Sequence, residues 1–285
     1  MSIKARRALA NTFIYAFLLF IFVLIMFPLV YVIASSFKTN SEILAHPEYI
    51  FPRVPTFENY ILAWNSPDFT VSRMFCYSVY YSLVSTTITL ITSSMCGYVF
   101  ERGHFRGKKL ILGTFTALLF VNLGMITMYP TFEVVDFLGI DKSIHTQLML
   151  KILSIPVFNF YLVMGYVRTI PKEIDEAARI DGCSFFRIYR SMIIPLITPI
   201  LATIGILGFN GSWNEYLGPM IWTMGHPEQR TLIVGVVSLK SSGEAASSWN
   251  LMLAGTTIAL IPVLVAYAFG SKFFIEGIAA GAVKG

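Results

Sequence analysis

The stretch KEIDEAARIDG, residues 172–182, is a short polar segment between two long apolar ones. It predicts a helix, because Pro171 suits a first helical turn and acids crowd the positive amino end of the helix dipole. Gly182 follows, and a glycine can adopt the left-handed backbone that ends many helices at little cost. The chain restarts as CSFFRIYRSMIIP, residues 183–195. We therefore predict a short helix, a glycine corner and a second helix that continues into the next apolar run.

The side chains of this short helix favour contact with another protein. Ile174, Ala177 and Ala178 share one face, and the two small alanines allow another surface to come close. Asp175 and Arg179 have the i,i+4 spacing of a helical ion pair. An amphipathic helix lying on the inner leaflet is the alternative hypothesis. The segment holds more acids than bases, which suits an anionic leaflet poorly, so docking in a cleft of a partner is favoured.

The composition of the chain points to a membrane. Of its 285 residues 55% are hydrophobic and only 13% are charged, which leaves too little polar surface for a soluble globule of this size. A helix needs about 20 apolar residues to cross the hydrocarbon core. Runs of that kind predict an all-α protein with one membrane domain and six transmembrane helices. The predicted spans are residues 13–34, 76–100, 110–131, 146–167, 191–213 and 249–271.

The polar segments between these spans predict the orientation. Most of the 21 lysines and arginines fall at the two ends of the chain, after the second span and in residues 168–190. Basic residues concentrate on the cytoplasmic side, so both termini and residues 168–190 are predicted inside, with outer loops at residues 35–73 and 214–248. The first loop is proline-punctuated and predicts short surface helices. The first apolar run exceeds a signal-peptide core and is interpreted as a retained span.

The sequence lacks the motifs of the common enzyme classes. The stretch GHFRGKK lacks the spacing and the Ser or Thr of a phosphate-binding loop, and HExxH and GxSxG motifs are absent. The three cysteines have no metal-site or redox spacing and are interpreted as small apolar fillers. No ionisable cluster is apparent within the spans. We predict a chain that is not an enzyme, binds no nucleic acid and holds no metal or cofactor.

Neutral hydroxyl, amide and aromatic groups at membrane depth predict a polar path. Such groups suit an uncharged polyhydroxylated solute, because they can hydrogen-bond to it and stack on it. The alternative for any single residue is a helix contact or an interfacial position. The candidate path residues are Tyr81, Ser85, Asn122, Tyr129, Asn159, Asn210, Trp213, Asn214 and Glu215.

The stretch EAARIDG, residues 176–182, resembles the EAA motif of the membrane subunits of ATP-binding cassette (ABC) importers. Pro195 matches the distant proline of that motif, while Met192 and Ile194 replace the usual Ile and Leu before it. In this family the helix is a coupling helix, which docks in a cleft of the cytoplasmic ATPase. The resemblance implies that ATP-driven closure of the ATPase is transmitted to the spans through residues 168–190.

Seven stretches in order resemble the carbohydrate importers, a group that includes the smaller maltose permease subunit. They are SSFKTNSEI, TFENY, FRGKK, IPKEIDEAARIDG, SWNEYLGP, RTLIVGV and GAVKG, and they cover nearly the whole chain. The resemblance implies the type I importer permease fold. Where the family usually has an Asn-Ser pair opening the second span, this chain has Tyr77-Ser78 and Tyr81-Ser82, a departure expected to reshape the outer mouth.

The resemblance also implies roles for particular residues. An outer loop would reach into the sugar site of the binding protein, and a short tail would contact the ATPase dimer. The implied loop contacts are Ser238, Lys240, Ser241, Ser242, Gly243 and Glu244. The implied ATPase-coupling residues are Glu173, Asp175, Glu176, Ala177, Ala178, Asp181, Gly182, Lys284 and Gly285.

We therefore expect one of the two permease subunits of a heterodimeric importer in the bacterial cytoplasmic membrane, which translocates a di- or oligosaccharide. Its expected partners are a second permease, a homodimeric or heterodimeric ATPase that binds ATP and Mg, and an extracytoplasmic solute-binding protein. An acidic oligosaccharide, a glycerol phosphate, an amino acid or another small polar solute stays an alternative. A membrane scaffold or sensor is the alternative from another class, and it would show no solute-dependent ATPase stimulation.

Overall fold

The computed structural model describes residues 3–65, 70–121, 124–241 and 245–282, and these ranges are helical with no strand among them. The predicted all-α fold is confirmed. The α-helices are α1 Ile3–Ser35, α2 Asn40–Ala45, α3 Glu58–Asn65, α4 Val71–Arg102, α5 Lys108–Phe120, α6 Met128–Phe137, α7 Ile144–Leu153, α8 Val157–Arg168, α9 Glu173–Ile180, α10 Phe185–Ile188, α11 Ile194–Trp213, α12 Leu217–Trp222, α13 Leu232–Ser241 and α14 Ala245–Ala282.

Among the residues that the structure describes, four stretches of helix are long and apolar enough to cross a membrane. They are Asn11–Ser35, Val71–Arg102, Phe185–Trp213 and Ser248–Ala268. They coincide with the first, second, fifth and sixth predicted spans. The helix over Phe185–Trp213 includes a π-helical turn at Tyr189–Ile193, which joins α10 to α11 without a break. The prediction that the chain runs from the glycine corner into the fifth span in one helix is therefore confirmed.

The other two predicted spans are not single straight helices. Residues 146–167 fall on α7 and α8, which are bent by 42° at a break that includes Pro156, the residue just before α8. A proline disfavours helix at the residue before it, which accounts for the break. In residues 110–131, α5 has 13 residues, or about 20 Å of helix, less than the hydrocarbon thickness. Residues 122–123 lie outside the described ranges, and α6 follows. Six spans stay a prediction.

The chain divides into two compact units, of which the first comprises residues 1–72 and 235–261. Asn59 on α3 organises this unit. Its amide nitrogen donates to the carbonyls of Ser36, at 2.7 Å, and Lys38, at 2.8 Å, and its oxygen accepts from the Asn250 amide at 2.8 Å. The short helices predicted within residues 35–73 are present as α2 and α3.

The second unit comprises residues 73–234 and 262–285, and α4 packs at its centre. Helix α4 contacts α8 closely at Gly97, where an added Cβ would lie 2.6 Å from Val163 Cγ1. Buried apolar side chains from α4, α8 and α11 form the core around this contact, among them Tyr98, Val163 and Ile197. This packing fixes α4 against the elements that carry both groups of polar residues described next.

Candidate functional site

The polar segment 172–182 folds as its sequence predicts. Helix α9 is Glu173–Ile180, and Gly182 takes a left-handed φ of +77°. The Gly182 and Cys183 amides donate to the carbonyls of Arg179 and Ala178 at 3.0 and 2.9 Å, which satisfies the carboxyl end of the helix. Ser184 then caps α10 by accepting from the Arg187 amide at 3.3 Å. Local sequence signals therefore determine this corner.

The inner side of α9 is fixed by an ion pair with α4. The Asp175 carboxylate accepts from the Tyr98 hydroxyl at 2.8 Å and lies 3.2 Å from Arg102 Nε, and each charged side chain is only 4% exposed. Arg102 also donates to the carbonyls of Val167, at 3.3 Å, and Ile170, at 2.5 Å. We call Tyr98, Arg102 and Asp175 the anchor cluster. It holds α9 to the end of α4.

The anchor cluster changes the assignment of faces on α9. Asp175 pairs with Arg102 and not with Arg179 as its spacing suggested, because the buried cation on α4 has closer access to the carboxylate. Ala178 is buried with Asp175 while Ala177 is exposed, so the two alanines do not form a common outward face. Ile180, which is 86% exposed, joins the outward face instead. The other predicted coupling residues on that face are Glu173, Glu176, Ala177, Asp181 and Gly182.

A second polar cluster centres on Glu215, just after α11. Its Oε2 accepts from the Tyr81 hydroxyl at 2.8 Å and from the Lys151 ammonium at 3.0 Å. Its Oε1 accepts from the Gln147 amide at 3.1 Å. The Gln147 amide also donates to the Tyr81 hydroxyl at 2.8 Å. The cluster joins α4, α7 and the end of α11.

Lys151 extends this network towards the serines. Its ammonium donates to Ser85 Oγ at 2.9 Å and lies 4.7 Å from the centre of the Tyr81 ring, a cation–π distance. Ser85 shares a hydrogen bond of 2.9 Å with Ser212 on α11. The Lys151 and Glu215 side chains are 28% and 32% exposed, so this ion pair is partly open. We call Tyr81, Ser85, Gln147, Lys151, Ser212 and Glu215 the cleft cluster.

The cleft cluster lies at the side of a cleft of about 720 Å³. Gly218 on α12 comes so close to the cluster that an added Cβ would lie 2.3 Å from both Gln147 Nε2 and Glu215 Oε1. Only a glycine fits there without displacing these groups. The cleft is lined by Thr127, Met128, Thr131, Gln147, Leu150, Lys151, Ser154, Glu215, Tyr216, Leu217, Gly218 and Trp222.

The predicted path residues fall into several places. Tyr81, Ser85 and Glu215 come together in the cleft cluster. Trp213 is buried against the rings of Phe75 and Phe209.

The remaining path residues lie elsewhere in the unit. Asn214 donates to the side-chain and main-chain oxygens of Asn210, both at 2.9 Å. Asn159 lies on α8, and Tyr129 on α6 is 70% exposed. Asn122 is outside the described residues.

The expectation that the spans carry no ionisable cluster is wrong at Lys151. Lys151 lies within the predicted span 146–167, and neither it nor Gln147 nor Ser212 was assigned to the path. The i,i+4 spacing of Gln147 and Lys151 was the available signal, since it places both on one side of α7. Their acidic partner, Glu215, is far away in sequence, so only the folded chain brings it within reach.

The described residues leave the predicted outer loop and tail largely untested. Ser238 lies on α13, as do the backbones of Lys240 and Ser241. Ser242, Gly243 and Glu244 are outside the described ranges, and so are Lys284 and Gly285 of the tail. Their roles stay predictions.

An exposed histidine cluster lies near residue 226. His226 Nε2 is 2.9 Å from Asp141 Oδ2, and its Nδ1 is 3.0 Å from Glu228 Oε1. Hydrogen bonding to Asp141 first, and then to Glu228, raises the pKa of His226 above its ordinary value of 6.5. The imidazolium donates to both carboxylates, which favours the charged form.

The chain matches the sequence pattern of a known protein family, described as "Binding-protein-dependent transport system inner membrane component", over residues 2–275. It is 31% identical to the galactooligosaccharides transport system permease protein GanQ of Bacillus subtilis (strain 168), over 99% of this chain and 98% of the relative. It is 30% identical to the arabinooligosaccharides transport system permease protein AraQ of the same organism, over 94% of each.

A solved structure has the same fold. It is the crystal structure of a bacterial ABC transporter involved in the import of the acidic polysaccharide alginate. The TM-score is 0.77, and the match covers 96% of this chain and 99% of that chain at 23% sequence identity. An identity this low is evidence for the fold alone.

Proposed function

The chain belongs to the family of binding-protein-dependent transport system inner membrane components, and we propose that it is one of two permease subunits of an importer for an uncharged oligosaccharide. Membership makes it a multi-pass subunit of an ABC importer, a kind of subunit that is not itself an enzyme. ATP and Mg belong to the partner ATPase in this proposal. The second permease is a different chain, so that the membrane part is a heterodimer.

The observation that carries the proposal is the two-sided character of α9. Its inner side is held to α4 by the anchor cluster, while Glu176, Ala177 and Ile180 point outward from the unit. A helix fixed to its own domain on one side and open on the other is suited to pass movement between a partner and the spans. We assign the outward face of α9 as the ATPase dock and α9 as the coupling helix.

The proposed orientation follows the basic residues. Both termini and residues 168–190 lie in the cytoplasm, six spans cross the membrane, and residues 35–73 and 214–248 face outward. The outer loop from Ser238 to Glu244 meets the solute-binding protein, and the tail with Lys284 and Gly285 contacts the ATPase dimer. ATP on the inside and the loaded binding protein on the outside each favour one state of a two-state permease pair.

The proposed solute rests on the relatives. The names of two full-length relatives state transport of galactooligosaccharides and arabinooligosaccharides, which are uncharged sugars. The cleft cluster offers hydroxyl, amide and carboxylate groups of the kind that bind sugar hydroxyls. An acidic oligosaccharide is the second candidate, since the alginate importer shares the fold, but the low identity gives it no support beyond that.

The first experiment purifies the tagged chain from its host in mild detergent and identifies its companions by mass spectrometry. We expect a second permease and an ATPase, and solute with binding protein should stimulate ATP hydrolysis. Recovery of the chain alone, while a known importer stays intact under the same conditions, would support a scaffold or sensor instead.

A variant on the outward face of α9 tests the dock. Ala177→Arg places a long cation on the exposed face, and we expect it to lose the ATPase while it keeps the second permease. Ala45→Arg is the matched control, because Ala45 is also exposed on a short helix and lies outside the proposed dock. Full ATPase recovery with Ala177→Arg would show that this face is not the dock.

A further inference from the structure

The cleft beside the Lys151–Glu215 pair has the chemistry of a solute site. Its lining combines hydroxyl groups, one amide and apolar side chains with a single cation and a single anion. A volume of about 720 Å³ is within the range of small-molecule sites. The cleft lies within one compact unit of the chain and needs no contribution from the other unit.

We propose that this cleft is a subsite for an uncharged polyhydroxylated solute, and that Lys151 and Glu215 determine its specificity against anionic solutes. The proposal rests on the proposed importer function and adds the site and its selectivity. Lys151 was not among the residues that the sequence assigned to the path.

The charge balance of the cleft supports selection of uncharged solutes. Among the described residues that line it, Lys151 and Glu215 are the only Asp, Glu, Lys or Arg side chains, and their charged atoms lie 3.0 Å apart. The pair therefore gives the site no net charge. An anionic solute would meet an already neutralised cation and a nearby carboxylate in a partly buried site, where repulsion is stronger than in bulk water.

The unused hydrogen-bonding capacity of the pair fits a diol. A carboxylate can accept about four hydrogen bonds, and the contacts from Tyr81, Gln147 and Lys151 occupy three of those positions on Glu215. An ammonium has three donors, and Ser85 and Glu215 take two of those on Lys151. One hydroxyl can donate to Glu215 while its neighbour accepts from Lys151, so adjacent hydroxyls satisfy both remaining positions.

The approach of Gly218 supports a site whose geometry is maintained closely. A side chain at this position would collide with Gln147 and Glu215, so glycine leaves the space on the α12 side that these two groups occupy. Tyr81 and Ser85 hold the pair from the α4 side at 2.8 and 2.9 Å. The two charged groups are thus held in position before a solute arrives, which reduces the ordering that binding requires.

The test uses the complete importer, reconstituted with its binding protein and ATPase. The probes are a neutral galactooligosaccharide and an oligogalacturonate of the same length, and the readout is solute-stimulated ATP hydrolysis and uptake for each. The wild-type complex should prefer the neutral sugar. In Glu215→Gln the cation is left uncompensated, and the ratio of neutral to acidic kcat/KM should fall by about tenfold or more.

The opposite variant should shift the ratio in the opposite direction. Lys151→Gln leaves the carboxylate alone, so the ratio should rise as the acidic sugar is excluded more strongly. The double variant Lys151→Gln/Glu215→Gln is again neutral and should recover the wild-type preference, which separates charge from general damage. Asp136→Asn is the control, because it removes a carboxylate from an exposed ion pair with Lys142 that does not line this cleft.

Two results would overturn the inference, and they differ from failure of the function itself. If both single variants reduce the two sugars equally, or leave the ratio unchanged, the pair is structural and selects nothing. If the wild-type complex responds to no sugar while ATP hydrolysis is intact, the proposed function and this subsite are both wrong. An unchanged ratio in a transporter that responds normally to sugar overturns the subsite alone.

Discussion

The anchor cluster and the cleft cluster are built alike and are exposed differently. In each, a tyrosine of α4 donates to a carboxylate at 2.8 Å, and a basic side chain pairs with the same carboxylate. The anchor pair is 4% exposed on both sides, whereas the cleft pair is 28% and 32% exposed. The same arrangement of a tyrosine, a carboxylate and a basic side chain is thus buried in the anchor cluster and partly exposed to solvent in the cleft cluster.

The exposure of each ion pair decides what that pair is suited to do. A buried ion pair must recover a large desolvation penalty through geometry and further hydrogen bonds, and Arg102 does so by donating to two backbone carbonyls. The Arg102–Asp175 pair is therefore suited to hold α9 to α4 in one arrangement. The lysine in the cleft carries a compact charge on a flexible stem and retains an unused donor, which suits a group that meets a changing partner.

The largest effect is expected at the anchor. Asp175→Asn leaves Arg102 buried without a counter-charge, and loss of one partner from a buried pair typically lowers the free energy of unfolding by about 3–5 kcal/mol. Thermal unfolding of the purified chain measures this loss. Lys151→Gln in the cleft should cost clearly less because water reaches its partner. Equal losses at the two sites would contradict the contrast between a closed and an open pair.

Gly182 tests the corner that follows the anchor. Gly182→Val places a β-branched residue at a φ of +77°, which typically costs about 1–3 kcal/mol and changes the direction of the chain after α9. We expect loss of transport and of its coupling to ATP hydrolysis. Gly113→Val is the control, since nothing lies within 4 Å of its added Cβ and it has no left-handed backbone. Wild-type coupling in Gly182→Val would refute the role of the corner.

A substitution at Gly218 tests the cleft through a steric clash, whereas the substitution at Gly182 acts through the backbone conformation. The methyl group of Gly218→Ala would push the Gln147 and Glu215 side chains away from α12. Overpacking of this kind typically lowers the free energy of unfolding by about 1–3 kcal/mol. The open side of the cleft gives these side chains room to move, which favours the lower end of that range. We expect transport to fall several-fold while assembly with the partners is kept. Gly211→Ala, with open space around its added Cβ, is the control. Unchanged transport in Gly218→Ala would mean that the cleft tolerates rearrangement.

The smallest effect is expected at the exposed His226 cluster. Because its pKa is raised in the folded chain, the stabilisation is fully present below the unfolded value of about 6.5 and is lost as pH rises through the higher folded pKa. Stability of the wild type relative to His226→Gln should therefore decline on going from about pH 6 to about pH 8. A pH-independent difference in melting temperature would show that the histidine contributes no charge-dependent stability.

The features that the sequence predicted best are those determined by residues close together in the chain. The glycine corner and the helices over Val71–Arg102 and Phe185–Trp213 follow from signals within each segment. A proline within a predicted span can kink its helix, and the bend between α7 and α8 lies at Pro156. Six spans and the docking roles stay predictions.

The polar clusters were predicted only in part. Tyr81, Ser85 and Glu215 were selected by residue type. Lys151 and Arg102 were not, since each pairs with a carboxylate more than sixty positions away. Helical spacing predicted an ion pair of Asp175 with Arg179, whereas the fold supplied Arg102 as its partner.

Helix α4 is one continuous helix that carries both tyrosines. Tyr81 and Tyr98 are separated by about 26 Å along its axis, at 1.5 Å per residue. A tilt of about 3° around one tyrosine moves the other by about 1.4 Å, and a shift of that size along the bond takes a 2.8 Å hydrogen bond beyond bonding range. A small rotation of the helix at one tyrosine thus becomes a large displacement at the other. A tilt at the anchored end that stretches the bond from Tyr81 therefore weakens the contact with Glu215 at the other end, which couples the two clusters through one helix.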